Sequence, residues 1–448
     1  MTRREIYEAI VGKNLEIDCV EMELKQCCDD APLILTGAGF IKQSSNGRIE
    51  FIFLYNNQEQ DSIRSRLQFL DSMIAGSLVP KEYFFDLIGK DVHGYRWSAE
   101  KLFLNTSINV SDNAAVIKGY IERLELREVG AQEESTSFCE IVAEGDHQLP
   151  WSRYRDQPNG YSSLCEIQIK IENVDINIFS ESGNTTISLV SSGAVDLDLY
   201  KKYFIQGLSI LIGKKLLILY EKNGANGKAT TSINSNRYHI EGSLEKPIKI
   251  WMPNDLEKFE TFLGSYISCA VDKGGQGGLD ALYGYWHKIY LVSHCTVQAG
   301  ALACGVSIEG LLKEYFKPRF SVSKEERDII EDSLKVLKGV KLHESVGERL
   351  KSAMGNFRSK SPKRVLLEIC NQHQLAVDLV KVWVKLRNKS AHADDLGMDQ
   401  QEFESYFFQY RTCLYLFYRL MFLVVGYSGG CIDYTSVGCP EVQVGENA

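Results

Sequence analysis

Residues 374–393, with the sequence QLAVDLVKVWVKLRNKSAHA, decide the fold class of the C-terminal part of the chain. At the period of an α-helix, about 3.6 residues per turn, their apolar and polar positions fall on different faces. The apolar face holds Leu379, Val382, Trp383 and Leu386, and the polar stripe holds Lys381, Lys385, Asn388 and His392. The segment therefore predicts an amphipathic helix that packs by one face and exposes the other.

Outward from this segment, helical periodicity covers residues 251–429. An N-cap residue followed three positions later by a carboxylate occurs at Asn254, Ser323 and Asp399, which marks three helix starts. We expect helices at 254–271, 280–317, 323–338, 344–357, 362–371, 374–393 and 399–426. This pattern predicts an all-α bundle.

The most apolar of these segments, 414–425, is about a dozen residues long and contains Arg419. A membrane-spanning helix needs ~20 consecutive apolar residues. We therefore expect this segment to lie in a core or a dimer interface, and we expect no contact with a membrane.

Residues 1–250 have the character of strands. Alternating or β-branched runs occur at 48–55, 115–128, 138–144, 165–179 and 186–191, with a helix at 199–212 and a further strand at 216–220. A stretch with Pro and Gly, 149–162, could divide this region in two. The predicted class is α+β, with a β-rich region at 1–250, a helical bundle at 251–429 and a flexible tail at 430–448.

Composition places the chain among ordinary globular proteins. Its 448 residues are 44% hydrophobic and 24% charged, and this length predicts two or three domains. The twelve cysteines form no C-x-x-C pair, which argues against a zinc site. The first residues, MTRREI, lack the apolar run of a signal peptide, so we expect a cytoplasmic protein with reduced thiols.

Charge is distributed unevenly along the chain, whose formal net charge is −9. Residues 349–389 contain ten basic and two acidic residues, so this segment carries +8 and the rest −17. Such a segment predicts a phosphate-binding surface, and a solvated lysine-rich surface is the alternative. The candidate RNA contacts are Arg358, Lys363, Arg364, Lys381, Lys385 and Lys389.

Arg387 and His392 are a candidate catalytic pair. RNA supplies its own nucleophile, the ribose 2′-hydroxyl, so an enzyme must move protons and stabilise charge on the phosphate. A histidine, with a pKa of about 6.5, can move the proton, and an arginine matches two phosphate oxygens. In a helix the two side chains lie roughly 140° apart, so Arg387 flanks the stripe that holds Asn388 and His392. The alternative is a solvated helix face that includes a histidine.

Glu309 is a candidate auxiliary residue in a preceding helix. Its carboxylate would orient Arg387 if the two helices pack together. The alternative is an exposed glutamate that pairs with Lys313, one turn along the same helix.

The sequence around Arg387 resembles the HEPN superfamily. Leu386-Arg387-Asn388 and Ala391-His392 stand near the end of an amphipathic helix, as in that superfamily, and Ser307-Ile308-Glu309-Gly310-Leu311-Leu312 resembles an acidic and apolar stretch of its ApeA-like branch. The resemblance covers about the last third of the chain. It implies a ribonuclease that needs no metal or other cofactor, built on a helical bundle, in which Arg387, Asn388 and His392 form the site.

The same resemblance implies partners and a biological role. Active members dimerise so that two motifs face one another, which implies a homodimer through the helical domain. The branch implies defence against phage, with cleavage of RNA, and of tRNA anticodon loops in particular, held latent until the N-terminal region senses a phage or cellular trigger. The products would be 2′,3′-cyclic phosphate and 5′-hydroxyl ends.

Two other functions stay open. In the first, the bundle is a non-catalytic HEPN-like module that binds RNA or protein, and Arg387 is structural. In the second, the Gly-rich loop at 273–278 binds a nucleotide through its backbone amides.

Overall fold

The computed structural model describes residues 3–56, 78–111, 114–129, 137–156, 161–193, 195–225, 227–235, 242–272, 278–340, 343–391 and 399–445. The chain divides into two compact units. The first contains residues 1–147, 151–201 and 216–239, and the second contains 148–150, 202–215 and 240–448. A β-rich N-terminal region is followed by a helical C-terminal region, so the predicted α+β class is confirmed.

The first unit is built on an antiparallel sheet. Fourteen strands lie within its described residues: β1 Glu16–Gln26, β2 Ile34–Gln43, β3 Ile49–Asn56, β4 Phe84–Asp91, β5 Arg96–Ser111, β6 Ala114–Ile121, β7 Arg123–Val129, β8 Ser137–Glu144, β9 Arg153–Asp156, β10 Ser162–Ile171, β11 Val174–Glu181, β12 Asn184–Ser191, β13 Ile218–Ala225 and β14 Lys228–Asn234. Their order is β4-β1-β2-β3-β6-β5-β7-β14-β13-β8-β12-β11-β10-β9. Because β4 also pairs with β5, the first six strands of this order close into a ring.

The ring has an apolar core that includes the short helix α1, Arg3–Val11. Ile6 and Ile10 of α1 are buried in the same cluster as Phe51 and Phe53 of β3. Gly119 of β6 permits this packing, since a Cβ at that position would overlap the Phe51 ring. Burial of these aromatic side chains contributes much of the driving force for folding of this unit.

Two strand predictions in this region were wrong, because residues 115–128 form the two strands β6 and β7, with Glu122 between them, and residues 165–179 also form two strands. Residues 165–179 were expected to form a single strand, whereas they belong to the hairpin β10–β11, in which Ile171 pairs with Val174. Glu172 adopts a left-handed conformation with φ of 55° in the two-residue turn. Neither turn residue is a glycine or a proline, so the usual sequence signal of a hairpin is missing. The predicted alternation is confirmed, because Ile167, Ile169 and Ile171 are all buried.

Helices make up most of the second unit. A helix that begins in the first unit, α2 Leu197–Ile212, is followed by α3 Leu256–Asp272, α4 Asp280–Ser293, α5 Val297–Tyr315, α6 Lys324–Gly339, α7 Glu344–Asn356, α8 Pro362–Gln372, α9 Asp378–Ala391 and α10 Gln400–Val425. Most begin and end within a few residues of the predicted bounds. The single helix expected at 280–317 is instead two, α4 and α5, because Thr296 caps α5 by accepting a hydrogen bond from the Ala299 amide at 3.1 Å.

Helix α10 lies in the core of the second unit. Leu414, Leu416, Phe417, Leu420 and Met421 are fully buried. Of the two roles expected for segment 414–425, the core role is therefore the one observed, and these side chains are not available to a partner. Among the described residues, no helix combines the length and the hydropathy that crossing a membrane requires.

The C-terminal segment forms a hairpin where the sequence indicated a flexible tail. Strands β15, Gly429–Ile432, and β16, Glu441–Val444, pair antiparallel, and Cys431 is fully buried. Glu441 forms an ion pair with Lys258 of α3 at 2.6 Å. These contacts are made by residues distant in sequence, which a polar and Gly-rich composition does not reveal.

Candidate active site

The exposed face of α9 carries the predicted polar stripe. Lys381, Lys385 and Asn388 are exposed, while Leu379, Trp383 and Leu386 are buried. Arg387 is exposed beside this stripe. His392 lies outside the described residues, and so does the side chain of Lys389. The two-faced character predicted for this helix is thus confirmed over its described length.

Helix α9 approaches α5 closely at Gly305. The indole Nε1 of buried Trp383 donates a hydrogen bond to the Gly305 carbonyl at 3.0 Å. A Cβ at Gly305 would lie 3.5 Å from the Cβ of Arg387, so the backbones meet with little space between them. This contact fixes the part of α9 that carries Arg387 against the middle of α5.

Glu309, one turn further along α5, contacts Arg387. Its Oε2 lies 2.6 Å from Nη2 of Arg387, and its Oε1 lies 2.7 Å from Nζ of Lys313. Both contacts considered for Glu309, with Arg387 and with Lys313, are therefore present, and the Glu309 side chain is partly buried where the second alternative expected it to be exposed. The Arg387 side chain is 44% exposed, compared with 16% for Glu309, so the guanidinium is held in place and remains accessible to solvent.

The stretch around Glu309 explains why it points towards α9. Ser307, Ile308, Leu311 and Leu312 are buried in the unit. Their helical spacing leaves Glu309 at the edge of the packed face, where its carboxylate reaches both cations. The acidic and apolar pattern at 307–312 therefore combines a packing role with placement of one carboxylate beside Arg387.

Five of the eight basic residues in segment 349–389 whose side chains the structure describes are paired with carboxylates. Arg364 makes two contacts with Glu326 of α6, at 2.6 and 3.2 Å, and Arg358 lies 3.0 Å from Glu331 of the same helix. The Arg364 guanidinium lowers the pKa of the Glu326 carboxyl. The charge of +8 counted along the sequence therefore overstates the positive charge of this surface, because the count left out the acids of α6.

The remaining predicted RNA contacts differ in their environment. Lys381 pairs with Asp378 one turn earlier in α9, at 2.8 Å. Lys363 and Lys385 are exposed and have no ion-pair partner within the described part of the chain. Together with Arg387, these two lysines are accessible cations among the candidate residues that sequence analysis identified.

The described residues contain no group of three or more His, Cys, Asp or Glu side chains that could hold a metal ion. Residues 273–277 of the Gly-rich loop lie outside the described residues. Sequence reasoning missed two kinds of contact: the hydrogen bond of Trp383, which positions α9, and the ion pairs with the acids of α6. The place of Trp383 on the apolar face was the available sequence signal for the hydrogen bond. No sequence signal indicated the ion pairs.

Comparison with protein-family models, with curated proteins and with solved structures found no match for this chain. The likeness to the HEPN superfamily therefore rests on the residues quoted above. Of these, Ser307–Leu312 and Leu386–Asn388 lie in described helices that contact one another through the Glu309–Arg387 ion pair.

Proposed function

We propose that this protein is an endoribonuclease that cleaves RNA without a metal ion. In this proposal His392 takes the proton of the ribose 2′-hydroxyl or gives a proton to the leaving 5′-oxygen. Arg387 stabilises the charge of the pentacoordinate phosphorus, and Asn388 positions the phosphate by hydrogen bonding. The products carry a 2′,3′-cyclic phosphate and a 5′-hydroxyl.

The observation that carries this proposal is that Arg387 is both held by an ion pair and exposed. A guanidinium that stabilises a transition state must be accessible to substrate and must be fixed before the reaction. The 2.6 Å contact with Glu309 restricts Arg387, while 44% of its side chain stays exposed. Exposed Asn388 and Lys385 on the same helix offer a hydrogen-bonding group and a phosphate-binding charge next to it.

The wider proposal includes a second copy of the chain. One Arg–His pair supplies a single proton-transfer group, and cleavage is best served by an acid and a base together. A homodimer through the helical unit would bring a second set. We further propose that the enzyme acts in the cytoplasm on single-stranded loops of tRNA during phage infection, with the N-terminal region keeping it latent until a trigger binds.

A non-catalytic binding module is the second candidate. The Glu309–Arg387 ion pair joins α5 and α9, which would suit a structural arginine. Such a module would need neither a proton-transfer group at residue 392 nor an accessible guanidinium.

Replacement of His392 by alanine separates the two candidates. Wild type and His392→Ala are expressed in bacteria with and without phage, and RNA ends with a 2′,3′-cyclic phosphate are sequenced. His343→Ala is a matched control, since the His343 ring is exposed and its side chain contacts only Ser345 among the described hydrogen bonds. We expect new ends with wild type and with His343→Ala, and none with His392→Ala. Identical ends and an intact phenotype in all three proteins would support the binding module instead.

A further inference from the structure

A cavity of about 550 Å³ lies in the second unit, away from the residues proposed for catalysis. It is lined by segment 243–251 and by residues of the C-terminal hairpin, among them Lys246, Lys249, Trp251 and Tyr434. We call it the lysine cavity. Its volume falls in the range of roughly 300–1,000 Å³ that is typical of sites for small molecules.

The backbone beneath the lysine cavity is held rigidly. Three successive carbonyls accept hydrogen bonds: that of Glu245 from the Tyr418 hydroxyl at 2.6 Å, that of Lys246 from the Tyr434 hydroxyl at 2.6 Å, and that of Pro247 from the Ile432 amide at 3.0 Å. A binding site whose side chains stand on a fixed backbone loses less entropy when a ligand binds. Lys246 and Lys249 are therefore presented from a pre-organised segment.

The positive charge of the lysine cavity is not neutralised. Within the described residues, neither Lys246 nor Lys249 has an ion-pair partner, whereas Glu245, which also lines the cavity, is paired with Arg411 at 3.4 Å. Arg411 is itself occupied, because it also stacks on the Tyr434 ring and donates to the Cys439 sulfur. Burial, together with the nearby Lys214 ammonium, lowers the pKa of Lys246.

Such an arrangement is unfavourable without a counter-charge. The burial of the Lys246 ammonium is not repaid by a carboxylate, and the nearby Lys214 charge repels it. In a chain with a net charge of −9, carboxylates are plentiful, yet none lies within ion-pair distance of these two lysines in the described structure. An anion bound between the lysines would relieve both costs.

An aromatic surface adjoins the two lysines. The Trp251 side chain lines the lysine cavity and is 38% exposed, which is unusual for an indole in a folded protein. Indole rings stack on nucleobases, and lysine ammonium groups bind phosphate as point charges. The cavity thus offers complementary groups for both halves of a nucleotide.

We propose that the lysine cavity binds a nucleoside phosphate, with Lys246 and Lys249 on the phosphate and Trp251 against the base. The ligand is a free nucleotide rather than one unit of an RNA strand, because the cavity has the size of a single small molecule. This site is separate from the proposed nuclease site, and its ligand is a candidate for the signal that controls the protein.

Calorimetry on the full-length protein tests the proposal. The probes are AMP, inorganic phosphate and adenosine, so that each half of the nucleotide is also measured alone. We expect AMP to bind at least about tenfold more tightly than phosphate or adenosine. Lys246→Gln and Lys249→Gln should each weaken AMP at least about tenfold, whereas Trp251→Ala should weaken AMP and leave phosphate unchanged. Lys335→Gln, which removes a lysine that is 75% exposed on α6, should have no effect.

Three outcomes would overturn the proposal. The first is the absence of saturable AMP binding at millimolar concentration, and the second is AMP binding that survives all three cavity substitutions. The third is binding of a short oligoadenylate without binding of AMP, which would assign the cavity to an RNA strand. If Lys246→Gln does not fold, Lys249→Gln and Trp251→Ala still test the site. RNA cleavage is measured separately, so the nucleotide proposal and the ribonuclease proposal can fail independently.

Discussion

Two groups of cations in the helical unit contrast in their surroundings. The basic residues between 349 and 389 are conspicuous in the sequence, yet Arg358, Lys360, Arg364 and Lys381 all pair with carboxylates. Lys246 and Lys249 belong to no basic run, yet they line a cavity without an ion-pair partner in the described structure. A count of charges along a sequence therefore locates charge without showing whether it is available to a ligand.

The physical reason is that neutralisation is set by tertiary contacts. Glu326 and Glu331 stand at least 27 residues before the arginines they face. Exposed pairs of this kind contribute little to stability, but they occupy the guanidinium groups that would otherwise contact phosphate. Arg387 differs from them in its partner, because the Glu309 side chain is only 16% exposed, whereas Glu331 and Glu326 are 44% and 35% exposed, so a more buried carboxylate holds Arg387.

The strongest test of this contrast compares two arginines of the same segment. We expect Arg387→Gln to reduce RNA cleavage by about 10² to 10³-fold, the size of loss seen when a group that stabilises transition-state charge is removed. Arg364→Gln should change cleavage less than about threefold, because Glu326 already occupies its guanidinium. The rate of cleavage of a short RNA at saturating enzyme measures both. Equal losses would mean that Arg387 contributes only bulk charge.

Trp383 tests whether the Arg387 position depends on the contact between α5 and α9. Trp383→Phe removes the hydrogen bond to the Gly305 carbonyl and leaves a space where the larger indole packed in the core. We expect the lost bond and the space together to lower the free energy of unfolding by about 1–3 kcal/mol. Lys381→Gln, on the exposed face of the same helix, should change it by less than about 0.5 kcal/mol. Denaturant titration of both variants gives the difference, and similar values for the two would contradict the assigned packing.

Glu309 tests the orienting role directly. Glu309→Gln removes the charge that holds Arg387 and leaves Arg387 and Lys313 as neighbouring cations. We expect cleavage to fall about tenfold through the rate of the chemical step, while RNA affinity stays the same or rises slightly, since a more positive site favours RNA binding. Lys313→Gln is the control and should change the rate less than about threefold. A fall in affinity with an unchanged chemical step would remove Glu309 from the site.

Sequence reasoning succeeded where periodicity sets the structure. The burial of Leu379, Trp383 and Leu386 follows from the 3.6-residue period, and that of Ile167, Ile169 and Ile171 follows from the two-residue period of a strand. It failed where one residue adopts an uncommon conformation or caps an element without a clear signal. Glu172 in the hairpin turn and Thr296 at the start of α5 are the two examples.

The features of the candidate site also divide into those that the sequence predicted and those that it could not. The exposed position of Arg387 and Asn388 follows from the amphipathic pattern, and the approach of Glu309 was one of two alternatives that the sequence left open. The paired state of Arg358 and Arg364 could not be predicted, because it depends on where α6 packs. The lysine cavity was missed for the same reason, as its lining comes from segments almost 190 residues apart.

The smallest expected effect comes from a substitution that frees one paired cation of segment 349–389. Glu326→Gln removes the two closest contacts of the Arg364 guanidinium and leaves it with the longer contact to Glu368 at 3.6 Å, so it should become more available to phosphate. We expect RNA affinity at low salt to rise about two- to threefold. The slope of log K against log salt should steepen by up to ~0.7, the value for one further contact with a single strand.

Binding is measured in a His392→Ala background, so that RNA is not consumed, by titrating a labelled single-stranded RNA at several salt concentrations. Asp332→Asn is the matched control, because it also removes one negative charge from α6 but releases Lys335 instead of Arg364. A steeper slope for Glu326→Gln alone would place Arg364 on the RNA path. The same slope for both variants would mean that only net charge matters, and that the pairing of Arg364 has no bearing on where RNA binds.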